Sequence, residues 1–105
     1  MIYKAFQDLQ LSQLGFGTMR LPLREDKSID EELAAAMTDA AIRQGVNYFD
    51  TAWPYHSGKS ETVIGKILQN YPRESFYLAD KFPGHQIAPT YDVADIFERQ
   101  LKKCG

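Results

Sequence analysis

The chain has 105 residues, 44% hydrophobic and 25% charged, with a net charge of -2 and one cysteine. That composition describes one small globular domain, residues 1–105, large enough for a core and too short for two. It excludes a basic nucleic-acid surface and an internal disulfide, and Cys104 with His56 and His85 makes no zinc-type His/Cys cluster, so no metal is expected.

Residues 1–12 alternate loosely through Ile2, Lys4, Phe6, Leu9 and Leu11, and "QDLQ" within them predicts a hairpin turn. The start lacks the basic-then-apolar build of a signal peptide, and no apolar run nears membrane-spanning length, so a cytoplasmic protein without a membrane partner is expected. "LGFGTM" reads as a brief buried strand whose glycines let the backbone turn or approach something closely. Ser28 and Glu31 have the spacing of a capping box. Leu33, Ala36, Met37, Ala40 and Ala41 then mark one helical face, with Gly45 as the stop. "VNYF" is a strand bounded by Gly45 and Asp50, and a loop with Pro54 and Gly58 leads to a helix beginning near Ser60. Val63, Ile64, Ile67 and Leu68 form its stripe, and Pro72 ends it. "FYLADK" is a third strand, closing on Asp80 and Lys81. A third helix follows, with Thr90 as N-cap, Val93, Ile96, Phe97 and Leu101 as buried stripe, Cys104 as a small core residue and Gly105 as stop. "LKKCG" is the cationic last turn of that helix, and His85 a surface residue.

The order is thus a hairpin and three strand–helix units, the pattern of an α/β protein with parallel strands. Three such strands cannot close a barrel and leave two unpaired edges, so the chain is either a small open layer or part of a larger one. Uncovered edges and apolar faces predict self-association.

In a strand–helix barrel the C-terminal strand ends and the loops after them face one site. Four features fall there: Gly17-Thr18, Asp50, Tyr55 and Lys81. Taken singly, Asp50 is an ordinary loop carboxylate, Tyr55 a packing residue and Lys81 a solvated strand end. Taken together, a lysine and an aspartate at neighbouring inner strand ends should neutralise one another. A phenol within reach of that ammonium becomes a better proton donor, because the cation favours the phenolate left behind. Such a donor suits an oxygen that becomes negative, as when a carbonyl receives hydride.

The stretches "LGFGTMRLP", "GVNYFDTAWPYHSGKSETVIGKIL" and "LADKFP" resemble the N-terminal part of the aldo-keto reductases, nicotinamide-dependent (β/α)8 barrels. The resemblance implies that this chain is the hairpin and first three βα units of such a barrel. It also implies an oxidoreductase reducing aldehydes or ketones with NADPH or NADH, a small carbonyl compound being the substrate. By it, Asp50, Tyr55 and Lys81 match three members of the family's catalytic tetrad, with Tyr55 as general acid, Lys81 tuning it and Asp50 pairing with Lys81. Gly17, Thr18 and Met19 match the loop against the nicotinamide and its ribose, with Asp50 nearby; Trp53 matches a residue beside the substrate. The tetrad's histidine belongs to a fourth strand that these residues do not include, and neither His56 nor His85 matches it. Weak activity of these residues alone is therefore expected. The alternatives are a catalytically silent, self-associating module and a nucleotide-binding regulatory module.

Overall fold

The computed structural model describes residues 1–84 and 92–105. Strands β1 (Tyr3–Phe6) and β2 (Leu9–Ser12) form an antiparallel hairpin in which Phe6 faces Leu9 across the Gln7–Asp8 turn. The hairpin is tied to the main body through Asn47. Its side chain accepts from Ser12 N–H at 2.7 Å and donates to the Gln10 carbonyl at 2.9 Å. Tyr3 adds a hydrogen bond to the Gly45 carbonyl at 2.7 Å.

Three short strands, β3 (Phe16–Gly17), β4 (Tyr48–Asp50) and β5 (Tyr77–Ala79), form a parallel sheet in that order. Phe16 is in register with Phe49 and Phe49 with Leu78; Gly17 is in register with Asp50 and Asp50 with Ala79. The ladder runs on into the loops, with Thr51 N–H to the Ala79 carbonyl at 2.9 Å and Trp53 N–H to the Lys81 carbonyl at 3.3 Å. Connecting helices are α1 (Glu31–Arg43) and α2 (Ser60–Leu68), and α3 (Val93–Cys104) follows β5. This is the predicted hairpin and three strand–helix units.

Strand alternation sorts the side chains. Phe49 packs with Val46, Ile64, Leu68 and Phe76, while Leu21, Ile29, Ala34, Val63 and Ile67 form a second cluster, and Phe16 touches both. Burying each such large side chain is worth roughly 1.5–3 kcal/mol. All four residues of the predicted α2 stripe are buried. The opposite sheet face carries Gly17, Asp50 and Ala79, and no helix covers it among the described residues. The sheet therefore has one face packed against helices and one open face, and Asp50 stands on the open one.

Three local expectations fail. Ser28 does not cap α1: its hydroxyl bonds the Asp26 carboxylate at 2.6 Å, and Asp30 accepts from Leu33 N–H at 3.1 Å as the cap. The α1 stripe is also out of phase. Ala34 and Thr38 are buried with Ala41 and Ile42 partly so, whereas Leu33 and Met37 stay 48% and 42% exposed. Small residues let the helix lie close to its neighbours, and Thr38 satisfies its buried hydroxyl on the Ala34 carbonyl at 2.9 Å. In α3, Ile96 and Gln100 are buried while Val93, Phe97 and Leu101 are exposed. Gln100 is drawn in because its amide bonds the Lys81 carbonyl at 2.9 Å and Asp80 Oδ2 at 3.2 Å. That rotation turns Phe97 and Leu101 toward a cavity of about 500 Å³ shared with Leu68, Phe76 and Leu78. Asp92 caps α3 through Ala94 N–H at 2.9 Å; Thr90 and His85 lie outside the described residues.

Gly45 ends α1 in the left-handed conformation, as predicted, with φ 96°. Among the described residues no helix is long and apolar enough to cross a membrane.

Candidate active site

Asp50 ends β4, and Lys81 lies two residues beyond β5, so the parallel register brings them side by side on the open face. Lys81 Nζ lies 2.5 Å from Asp50 Oδ1, 3.0 Å from Tyr55 Oη and 3.2 Å from the Thr51 carbonyl. The ammonium also stands 4.8 Å from the centre of the Tyr55 ring. Partial withdrawal from water pulls the Lys81 ammonium down. Hydrogen bonds to Asp50 and Tyr55, and attraction by the same two groups, outweigh this and hold it above its ordinary range. The side chains of Lys81 and Asp50 remain 51% and 35% exposed, so the trio opens to solvent.

Tyr55 reaches this pair from a 3-10 turn, Tyr55–Gly58, entered through Pro54. Tyr55 N–H bonds the Ala52 carbonyl at 3.2 Å, which starts the turn directly after the strand. His56 Nε2 accepts from Leu21 N–H at 3.0 Å. Nothing in the sequence around His56 signals that partner, which is 35 residues away.

The glycine-threonine segment divides in two. Among the described residues Gly17 has nothing within 4 Å of where a Cβ would stand, so space is open beside Asp50, and Met19 is exposed. Thr18 is fully buried. Its N–H and hydroxyl both reach the Asp50 carbonyl at 3.0 Å, and Ser60 Oγ lies 2.7 Å from its hydroxyl and 2.9 Å from that of Thr51. This buried hydroxyl chain fixes the ends of β3 and β4 to the start of α2. The sequence marks Ser60 as a helix start but not as this brace. Trp53 is half-buried, with Lys103 Nζ 4.5 Å above its ring.

The profile of the Aldo/keto reductase family matches residues 13–105. The chain belongs to that family. It is 34% identical over 76 residues to "Probable aldo-keto reductase 1" of Glycine max, a match covering 72% of this chain and 22% of that protein. Among solved structures, an aldo-keto reductase of Bacillus halodurans in its holo form superposes with TM-score 0.69 at 29% identity, covering 92% of this chain and 33% of that one. An aldo-keto reductase of Klebsiella pneumoniae in complex with NADPH superposes with TM-score 0.75 at 22% identity, covering 99% and 36%. This chain thus spans between about a fifth and just over a third of these relatives and has the fold of the N-terminal part of their barrel.

One more cluster in this aldo/keto reductase chain lies on the helix side of the sheet. Glu61, the acid of the "GKSE" stretch, is fully buried and paired through Oε1 with Lys103 at 2.9 Å; its Oε2 has no hydrogen-bond partner among the described residues. Asp80 and Cys104 bring ligand-type atoms to within 4.8 Å of Glu61, a grouping not foreseen when only His and Cys are considered. Lys103 supplies its positive charge. Withdrawal from water and then the Glu61 carboxylate push Asp80 up to about 7, while burial followed by the charges of Asp80 and Glu61 pushes the Cys104 thiol up to about 12. At neutral pH this group is therefore held as the thiol and not the nucleophilic thiolate.

Proposed function

We propose that this chain carries the acid-donating half of a carbonyl reductase site, with Tyr55 as general acid, Lys81 as its charge partner and Asp50 as anchor. The observation behind this reading is one ammonium held at hydrogen-bonding distance from both a phenol and a carboxylate on an open sheet face. The residues present fit the nicotinamide end of the family's cofactor: Gly17 leaves room beside Asp50, and exposed Met19 offers an apolar contact. NADPH, or NADH, when bound there supplies a hydride to the carbonyl carbon. As charge grows on the carbonyl oxygen, Tyr55 Oη transfers its proton there. The phenolate left behind stays beside Lys81 Nζ, and Asp50 with the Thr51 carbonyl keeps that ammonium in place. A place for Trp53 beside the aldehyde or ketone rests on the family resemblance alone, since its ring carries the Lys103 ammonium at 4.5 Å.

A second reading, a silent and self-associating module, draws on a different observation. Among the described residues β3 and β5 pair on one side only, and Leu33, Met37, Phe97 and Leu101 are exposed. A nucleotide-binding regulatory role has no separate structural support.

The test is cofactor oxidation with a small aldehyde, by the chain alone and by the chain joined to the remaining barrel of the Bacillus halodurans relative. The joined form should turn over in a Tyr55-dependent way and the chain alone far more weakly. A joined form that binds NADPH and reduces no carbonyl would leave the silent reading.

A further inference from the structure

The residue next to Tyr55 has a backbone conformation that side chains rarely adopt. His56 has φ 53° and ψ 45°, Ser57 has φ 55° and ψ 37°, and Gly58 follows with φ 86°. For a residue with a Cβ the left-handed conformation costs roughly 1–2 kcal/mol, and it usually occurs singly. Such a run persists only where its surroundings dictate it.

One restraint stands on each side. Lys59 N–H bonds the His56 carbonyl at 3.1 Å, closing the turn. On the ring side, Leu21 N–H donates to His56 Nε2 at 3.0 Å. A backbone N–H can only donate, so Nε2 carries the lone pair and the imidazole proton sits on Nδ1. Leu21 is packed in the core with Ile29, Ala34, Val63 and Ile67, which makes its amide a fixed point. The segment that ends at Leu21 is also pinned at its start, where Thr18 bonds the Asp50 carbonyl. Met19 and Arg20 project between the two pins.

We propose that His56 is a positioning residue whose Nε2 acceptor locks the left-handed turn, holding Tyr55 Oη at Lys81 Nζ and the Met19 segment beside the same mouth. The proposal rests on the reductase reading of Tyr55, but its test is made on the chain itself without turnover.

The experiment is NMR on the 105-residue chain with labelled histidine, tyrosine and lysine, comparing wild type, His56→Leu, His56→Gln and Ser57→Gly. In wild type, His56 should show the Nδ1–H tautomer, Leu21 N–H should be protected, and Tyr55 ring protons should contact the Lys81 side chain. His56→Leu should speed Leu21 amide exchange by about tenfold or more and abolish the Tyr55–Lys81 contact, with Phe49 and Ile64 signals unchanged. His56→Gln, whose side-chain oxygen still accepts, should restore both. Ser57→Gly should keep both and unfold at a higher temperature, because it relieves strain without removing the acceptor. The opposite tautomer, an unprotected Leu21 amide in wild type, or a Tyr55–Lys81 contact that survives His56→Leu overturns the proposal. Should the leucine variant not fold, the glutamine variant decides: a folded core without the Tyr55–Lys81 contact overturns it, and a retained contact supports it. The two readings fail separately. All contacts present in a joined enzyme without carbonyl reduction would remove the reductase reading alone; Tyr55-dependent reduction indifferent to His56→Leu would remove the positioning role alone.

Discussion

Lys81 and Asp80 are adjacent in sequence and face opposite sides of the sheet, and their charges do different work. Lys81 belongs to the open face, where Tyr55→Phe in the joined enzyme should lower the rate of carbonyl reduction by about 10²–10⁴ with little change in cofactor affinity. Lys81→Met should act through the same step, and steady-state kinetics of both variants check it. Asp80 belongs to the helix side, where its carboxyl titrates near 7 instead of its ordinary 3.8. A carboxyl raised on folding binds its proton more tightly in the folded state. Its stabilising contribution is therefore complete below pH 3.8 and lost as pH rises through about 7. Asp80→Asn should accordingly stabilise the chain at pH 8, by on the order of 1 kcal/mol after allowing for solvent screening, and leave it unchanged below pH 4. Thermal unfolding at the two pH values checks this. Of these residues, the Asp50–Tyr55–Lys81 trio was legible in the sequence because strand alternation and loop position predict where such groups meet. His56, Glu61 and Asp80 were not. Their partners are Leu21, Lys103 and Gln100, and no local pattern encodes contacts across 20 to 42 positions.

Among the elements, the existence and order of the strands and helices were readable from period and punctuation, while the helix faces were less so. In α2 the apolar residues are large and one-sided, so the stripe is unambiguous. In α1 alanines lie nearly all round, and burial follows closeness of approach, which favours Ala34 and Thr38 over Leu33 and Met37. A shift of one residue is about 100° on the helix, enough to invert the reading. The cap was misassigned for a similar reason, since Ser28 and Asp30 both precede acidic residues and only geometry shows which one bonds Leu33. Asp30→Ala should thus destabilise the chain by about 1 kcal/mol, and Ser28→Ala by less, in denaturant titrations. At the α2–α3 contact, a Cβ on Gly65 would lie 2.6 Å from the Cys104 carbonyl oxygen. That obstacle is backbone, as is the Lys103 carbonyl oxygen at 2.7 Å, so Gly65→Ala should cost about 1–3 kcal/mol and displace α3, measurable as lost stability and shifted α3 amide signals.

At the scale of the whole molecule, a parallel sheet has been given helices on one face only. Its open face and two strand edges stay unpaired among the described residues, and this chain spans about 22% of the Glycine max protein. A closed barrel takes roughly 250 residues, and three strands with a 2-stranded hairpin leave the inner face accessible. We therefore propose association of the isolated chain through its open edges and apolar faces, and light scattering should give a mass above 12.0 kDa that rises with concentration. The proposed chemistry depends on one ammonium shared by a phenol and a carboxylate. Its most direct test is an NMR pH titration of the Lys81 side chain in the wild-type chain and in Asp50→Asn. The ammonium should titrate above its ordinary 10.5 in wild type and move down in the variant. A Lys81 that titrates at or below 10.5 in both would contradict the shared site.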